Sequence, residues 1–273
     1  MFVRTLEDVR AAGLVVSLGD EEARSARFLT AADGLGFSYN ENLSNRTVDV
    51  ELWYQNHWEA NYIIEGSGTV KDQATGQVWE IRAGALYTVG PNDRHYLSFA
   101  PGTKLISIFF PALRGDEERT DGGYPASGPV LQTDRRMFVK YADEMRAAGE
   151  ELVIAGGTAR SLRMLKKADN LGFSFSVVHS KAGVESDLWY KNHWEANHVL
   201  AGKAELTDLA TGQQWLLEAG MGYCVGPKDR HHVRTIEDLE AISIFNPPLQ
   251  GDELHDADGA LAPSGPIPPG PAG

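Results

Sequence analysis

The sequence predicts an all-β chain folded as two tandem small barrels of the jelly-roll type, and three observations predict it. First, the chain repeats itself: Leu52-Trp53-Tyr54-Gln55-Asn56-His57-Trp58-Glu59-Ala60-Asn61 returns as Leu188-Trp189-Tyr190-Lys191-Asn192-His193-Trp194-Glu195-Ala196-Asn197. Second, each copy is a succession of short β-branched and aromatic runs about ten residues apart, the spacing of an all-β sandwich or barrel. Third, 29 Gly and 13 Pro among 273 residues call for many turns and few long helices.

The repeat sets the order of everything else. Met1-Phe2-Val3 aligns with Met137-Phe138-Val139, an offset of 136, and the same offset aligns Gly36-Phe37-Ser38 with Gly172-Phe173-Ser174, and Ala74-Thr75-Gly76-Gln77 with Ala210-Thr211-Gly212-Gln213. Val89-Gly90-Pro91, Asp93-Arg94-His95 and Ile106-Ser107-Ile108-Phe109 also recur at that distance, so one offset is expected to hold without insertion or deletion. The halves join near Ser127-Gly128-Pro129, giving domains 1–131 and 132–258, followed by a Pro/Gly-rich tail, 259–273, expected to be mobile.

Within a half, residues 6–12 (142–148 in the second) read as a short helix stopped by Gly13 or Gly149. Strands are predicted over 37–43, 48–54, 60–64, 68–72, 78–81, 85–89, 95–99 and 105–110, separated by turn signals such as Glu65-Gly66, Ala83-Gly84 and Gly90-Pro91-Asn92-Asp93. Gly66, Gly84 and Gly90 read as turn glycines with positive φ.

Charge and composition exclude some functions. The formal charge of −13 repels nucleic acid and anionic membrane, and no basic patch offsets it. No apolar run approaches the ~20 residues of a membrane span, and acids near the N-terminus do not suit a signal peptide. The single Cys224 excludes an intramolecular disulfide. A cytoplasmic protein acting on a small molecule is expected, without nucleic-acid or membrane partners, as a monomer of two barrels or a homodimer.

The residues able to do chemistry cluster around the repeated stretch. Glu59 precedes Gly66, and Glu195 precedes Gly202, with six residues between, and Pro91-Asn92-Asp93-Arg94-His95 (Pro227 to His231 in the second half) is a turn that delivers a His onto the next strand. These spacings resemble the two motifs of cupin barrels, so the chain is read as a bicupin. The cupin His-x-His pair is missing, since Trp53 and Gln55, or Trp189 and Lys191, stand in its place. An ordinary three-His-one-Glu site is thereby excluded, and Glu with His alone would hold a metal weakly. Tyr87 and Tyr223 are candidates for a third ligand. His57 and His193 compete with them, sharing strand parity with Glu59 and Glu195.

Further spaced residues extend the resemblance. Tyr190-x-Asn192-His193-x-Glu195, Asp208-Leu209-Ala210-Thr211-Gly212, Tyr223, Asp229-x-His231 and Phe245-Asn246-Pro247-Pro248-x-x-Gly251-x-Glu253-x-His255-Asp256 together resemble ectoine synthase, a metal-dependent cupin enzyme, over essentially each whole half. The resemblance implies metal triads Glu59, Tyr87, His95 and Glu195, Tyr223, His231. It implies a divalent metal, Fe(II) first and Zn(II) second, and closure of a linear N-acetylated diamino acid to a cyclic amidine with loss of water. Tyr54, Glu117, Tyr190 and Glu253 fall on positions implicated in the family's active site and would move protons. Arg27 and Arg163 of Ser-x-Arg, Trp53 and Trp189, Phe109 and Phe245, and His255 would contact substrate. His57 and His193 then become supporting residues rather than ligands.

This chain also departs from the family pattern. Ala23 and Ala159 replace a Trp, Asn42 and Val178 replace a substrate-contacting Thr, and Ser107 and Ser243 replace a pocket Cys. These changes fall where substrate would sit, which implies a related but altered substrate. The first half has Arg119 where the second has His255, which favours the second half if one alone is active. Family members with one barrel per chain pair as dimers, and the duplication would place such a pair in one chain. Rival expectations are a bicupin hydrolase or lyase for another N-acyl or ureido amino acid, and a non-catalytic small-molecule-binding cupin.

Overall fold

Successive strands account for nearly all the regular structure in the computed structural model, which describes residues 1–18, 22–154 and 157–271. The two helices, α1 (Leu6–Ala11) and α2 (Ala142–Ala147), are short and stand where the sequence places them. Among the described residues no helix is long and apolar enough to cross a membrane.

The chain divides into two compact units that do not follow the sequence halves: one comprises Met1–Glu7 with Met145–Gly270, the other is built on Asp8–Glu144. Each unit thus takes its first strand from the opposite half. Strand β1 (Phe2–Arg4) pairs with β19 (Gly222–Val225), setting Val3 opposite Tyr223. Strand β12 (Phe138–Tyr141) pairs with β9 (Ala85–Val89), setting Val139 opposite Tyr87.

In the unit built on Asp8–Glu144, one sheet runs β12, β9, β6 (Trp58–Glu65), β11 (Thr103–Phe110), β4 (Ser38–Ser44), β3 (Ala23–Leu29) and β2 (Val15–Ser17). A second sheet runs β5 (Val48–Leu52), β10 (His95–Phe99), β7 (Ser67–Asp72) and β8 (Val78–Arg82). The inward faces of both supply one core, including Ile63, Val70, Ile81, Leu97, Phe99 and Phe109. Burying such side chains contributes about 1.5–3 kcal/mol each, and the alternation along β10, buried at His95, Leu97 and Phe99, is the period-2 signature of a strand with one face inward.

The other unit repeats this plan as one nine-stranded sheet, because two strand pairs of the first unit are continuous here. They are β17 (Trp194–Asp208) and β20 (His231–Asn246), which pair along their lengths with irregular register near Gly202. Gly202 has φ 81°, and a Cβ there would lie 2.1 Å from the Asp238 carbonyl oxygen, so only glycine lets the long strand bend without breaking. Strands β13 (Glu151–Ile154), β14 (Ala159–Leu165), β15 (Ser174–Ser180), β16 (Glu185–Leu188) and β18 (Gln214–Glu218) complete it.

Four expectations are corrected. The strands β1, β2 and β3 and their counterparts were not foreseen, although β3 and β14 carry Arg27 and Arg163. Gly90 has no positive φ; a Cβ there would lie 2.4 Å from the Trp58 ring, so its glycine serves close packing. The tail is packed rather than loose: Ala260, Leu261 and Ser264 are buried, and the Trp194 indole donates to the Pro268 carbonyl at 3.1 Å. The single offset also fails near the end of each half. The Asn56 amide donates to the Tyr124 carbonyl and the Asn192 amide to that of Leu261, an offset of 137 produced by one extra residue in the turn from Asp256 to Ala260.

Candidate active site

Strand register gathers the polar residues of the unit containing residues 145–270. Glu195 and Asn197 share one face of β17. Tyr223 from β19 lies opposite Asn197, and Ser243 and Phe245 from β20 lie opposite Asn197 and Glu195. The rung continues through Ser176 on β15 to Arg163 on β14. With Tyr190 and His255 these side chains line a cavity of about 530 Å³, the size of a small-molecule site.

Burial sets the electrostatics. Glu195 is 5 % exposed, and desolvation pushes its carboxyl up to about 7 despite hydrogen bonds from Asn197 and Ser243. Burial, reinforced by the charge of Glu195, holds the Tyr190 and Tyr223 phenols well above the usual tyrosine range. The Tyr190 hydroxyl is 3.1 Å from His255 Nε2, and the Tyr190 and His231 rings are 5.8 Å apart. Burial also lowers the proton affinity of His231 and His255. His231 Nδ1 is 2.9 Å from the Asp229 carbonyl oxygen, which can only accept, so Nδ1 carries the proton and Nε2 keeps its lone pair. That Nε2 is buried and has no hydrogen-bond partner among the described residues.

Other proposed residues stand around this centre. Glu253 Oε2 accepts from Arg163 Nη1 at 2.7 Å and from the Gly251 amide at 2.8 Å, and Oε1 accepts from the Gln250 amide. Burial raises the Glu253 carboxyl, but the backbone donors and Arg163 outweigh it and leave it below the usual range. Glu253 is therefore committed to fixing Arg163 and the loop that carries His255, and it is absent from the cavity wall. Trp189 donates to the Pro227 carbonyl at 2.8 Å and also lies off the cavity wall, tying the repeated stretch to the turn before His231. His193 precedes β17 rather than sharing its parity with Glu195; its Nε2 is 3.0 Å from Ser264 Oγ of the tail, and burial lowers it to about 4.

The unit built on Asp8–Glu144 repeats the set with altered surroundings. Glu59 and Asn61 on β6 face Tyr87 and Phe109, and burial pushes Glu59 up to about 7. His95 Nδ1 is 3.0 Å from the Asp93 carbonyl oxygen and its buried Nε2 is likewise unpartnered among the described residues. Tyr54 is buried and 6.2 Å from His95 between ring centroids, and the Glu117 carboxylate accepts from Arg27 at 3.5 Å and from the Gly115 amide at 2.7 Å. Trp53 bonds the Pro91 carbonyl as Trp189 does that of Pro227, and His57 Nε2 lies 3.1 Å from Ser127 Oγ. Two residues differ decisively. Tyr124, at the place of Leu261, stacks on Tyr54 at 5.8 Å and meets Phe109 edge-on at 5.6 Å. Arg119, at the place of His255, sets a positive charge near Glu59, Tyr54 and His95.

Val178 and Ser243 line the cavity as their positions in the family pattern imply, and Asn197, Ser161, Ser176, Leu239 and Ala241 line it without having been singled out. Strand parity with Glu195 is the signal for Asn197, whereas Ser161 lies on β14, which has no clear pattern of its own.

Comparison with known proteins decides the family. The ectoine synthase family model matches residues 1–128 and again 137–264. The chain belongs to the ectoine synthase family. As an ectoine-synthase-like cupin it carries the family's domain twice, in an all-β bicupin fold. L-ectoine synthase of Oceanobacillus iheyensis is 38 % identical over 126 residues, which is 46 % of this chain and 97 % of that protein. The Desulfosudis oleivorans L-ectoine synthase is 42 % identical over 125 residues, 45 % of this chain and 95 % of that protein. In overall fold this ectoine synthase relative is similar to the oxalate decarboxylase of Lactobacillus farciminis, with TM-score 0.67 and 12 % identity over 92 % of this chain and 87 % of the other.

Proposed function

We propose that the unit containing residues 145–270 is a metal-dependent cyclodehydratase, a lyase that closes an N-acylated diamino acid into a cyclic amidine. The observation that carries this reading is the convergence of Tyr190, Glu195, Asn197, Tyr223, Ser243 and His255 on one cavity in a chain whose halves both match the ectoine synthase family.

Glu195, Tyr223 and His231 suit a divalent cation. His231 offers a buried, unprotonated Nε2, and burial disfavours the charged forms of the Glu195 carboxyl and the Tyr223 phenol unless a cation compensates them. Iron(II) is the metal the family resemblance implies. Bound there, it supplies Lewis acidity to the acyl oxygen.

The remaining work belongs to the protein. The cavity walls hold amine and acyl carbon together, so ring closure is intramolecular, and the buried polar rung limits the water that reaches the product. As the carbon–nitrogen bond forms, the amine must lose a proton. Tyr190 takes it at its oxygen while passing its own to His255, whose ring is kept neutral by burial, so that a nitrogen lone pair is available to accept. Returned to the former carbonyl oxygen with the second amine proton, it completes the water that leaves as the carbon–oxygen bond breaks. Phe245 packs edge-on against Tyr190 at 5.3 Å and fixes the phenol. In the other unit Tyr124 stacks on Tyr54 and Arg119 stands at the place of His255, and the catalytic role is therefore assigned to residues of 145–270.

The test is to determine metal per chain in the purified protein and to follow N-acetylated 2,4-diaminobutyrate by mass for loss of one water. Bound divalent metal with dehydration supports the reading; metal-loaded protein that dehydrates neither this compound nor any other N-acyl diamino acid overturns it.

A further inference from the structure

The cavity does not end at the polar rung. Along β20 the inward residues run Phe245, Ser243, Ala241, Leu239, and along β15 they run Ser174, Ser176, Val178, Ser180. The rung beyond Ser243 is Ser161, Val178, Ala241 and Val199, and the next is Ala159, Ser180 and Leu239. Successive rungs are about 7 Å apart, so the space continues one to two rungs past the polar groups. Its walls there are Val153, Ile154, Val178, Val184, Leu239 and Ala241 together with the hydroxyl residues Ser161, Ser180 and Thr235, the last two bonded to each other at 2.9 Å, and all of them line the same cavity as Glu195 and Tyr190.

The duplicated half supplies an internal comparison. Its equivalent rung is Ser25, Asn42, Leu105 and Ile63. There Leu105 fills the position of Ala241, and Asn42, at the position of Val178, donates to Ser107 Oγ at 2.8 Å. In the unit of residues 145–270 the bulky side chain is gone from this rung and the amide has become an isopropyl group, so the space is wider and less polar here, while Leu239 stands at the next rung where the other half has Thr103. Val153 adds an apolar wall that is 52 % exposed, where the other half has Ser17. An acetyl group leaves nothing to occupy such a volume.

We propose that Ala241 and Val178 open an apolar acyl slot, and that the preferred substrate is a diamino acid whose N-acyl group is a longer aliphatic chain than acetyl. The inference rests on the cyclodehydratase reading for its reaction, but the slot itself is a binding feature and can be tested separately. With the amide at the polar rung, an extended acyl chain of about six carbons would reach the Ala241 and Val178 rung, about 7 Å away. Each methylene moved from water onto apolar walls is worth about fourfold in affinity.

The experiment uses the full chain loaded with iron(II) and the N-acetyl, N-butyryl and N-hexanoyl derivatives of 2,4-diaminobutyrate, measuring binding by calorimetry and water loss by mass. The expected result is affinity that rises from acetyl to hexanoyl, with kcat/KM following. Ala241→Leu, which installs the residue of the other half, should lower the ratio of hexanoyl to acetyl affinity at least tenfold. Val178→Asn provides a second variant with the same expectation should the first fail to fold. Binding that weakens with chain length, or a ranking unchanged in both variants, overturns the slot. Chain-length-dependent binding without any dehydration retains the slot and overturns the reaction assigned above.

Discussion

The Tyr190 hydroxyl meets His255 Nε2 at 3.1 Å, although the two residues are 65 apart in sequence. Tyr190 comes from the turn after β16, and His255 from the loop that Glu253 fastens through its bonds to Arg163 and Gly251. If this pair moves the proton, Tyr190→Phe and His255→Ala should each lower kcat by about 10²–10⁴-fold with little change in metal content. Because they act as one unit, the double variant should be scarcely worse than either single one. Fully additive losses would show that the two residues act separately.

The two units should respond differently to loss of their buried carboxylates. Glu195→Ala is expected to remove bound metal from its site and reduce turnover by roughly 10³-fold or more. Glu59→Ala should leave turnover within about threefold, since Tyr124 stacks on Tyr54 there and Arg119 replaces the histidine of the Tyr190–His255 pair. Metal analysis and single-turnover kinetics on both variants check this, and equal losses of activity would reverse the assignment of roles.

Acid–base titration of the chelator-treated protein should reveal two opposed slopes. Burial raises Glu59 and Glu195 to about 7. A raised folded pKa gives stabilisation that is complete below the unfolded value near 4.5 and lost as pH rises to 7. Burial lowers His57 and His193 to about 4. Their stabilisation is complete above the unfolded value near 6.5 and lost as pH falls toward 4. Each group contributes on the order of 3 kcal/mol, and the two slopes oppose each other between pH 4.5 and 6.5, with the lowered His95, His231 and His255 adding to the histidine side. Glu195→Gln should therefore be more stable than wild type at pH 8, indistinguishable at pH 4, and more sensitive to acid. Urea unfolding across this range measures it, and curves that stay parallel would contradict the burial argument.

Strand exchange makes a further expectation. Val3 pairs with Tyr223, so Val3→Pro, which fixes φ at the middle of the three-residue strand, should loosen β19 and the cavity wall at Tyr223 at a cost of about 1–3 kcal/mol. Hydrogen exchange should quicken in β19 and in β17 beside it, while the strands between Asp8 and Glu144 keep their protection. Faster exchange confined to residues 8–144 would mean that β1 does not support β19.

Much of this was legible in the sequence because the repeat acts as its own control. Glu195, Tyr223 and His231 recur at the spacing of Glu59, Tyr87 and His95, and recurrence of three unlike polar residues at one distance selects them from strands that otherwise look alike. Trp189 and Glu253 were legible as special but not in their roles: an indole N–H and a carboxylate satisfy whatever polar group folding brings near, and here these are a carbonyl and a fixed guanidinium. Short strands such as β1 and β13 have weak patterns of their own and exist because a neighbouring edge accepts them.

Sequence alone therefore determined the all-β class, the duplication, the family and the ligand candidates, since each follows from local pattern or from recurrence at a fixed spacing along the chain. Tertiary structure decided the rest. It placed β1 and β12 in the opposite units, packed the tail beneath Trp194 and His193, set Tyr124 against Tyr54, and brought Ala241 beside Val178. Each of these depends on which strands become neighbours, and pairing between distant segments is chosen by the core they bury together rather than by either segment on its own.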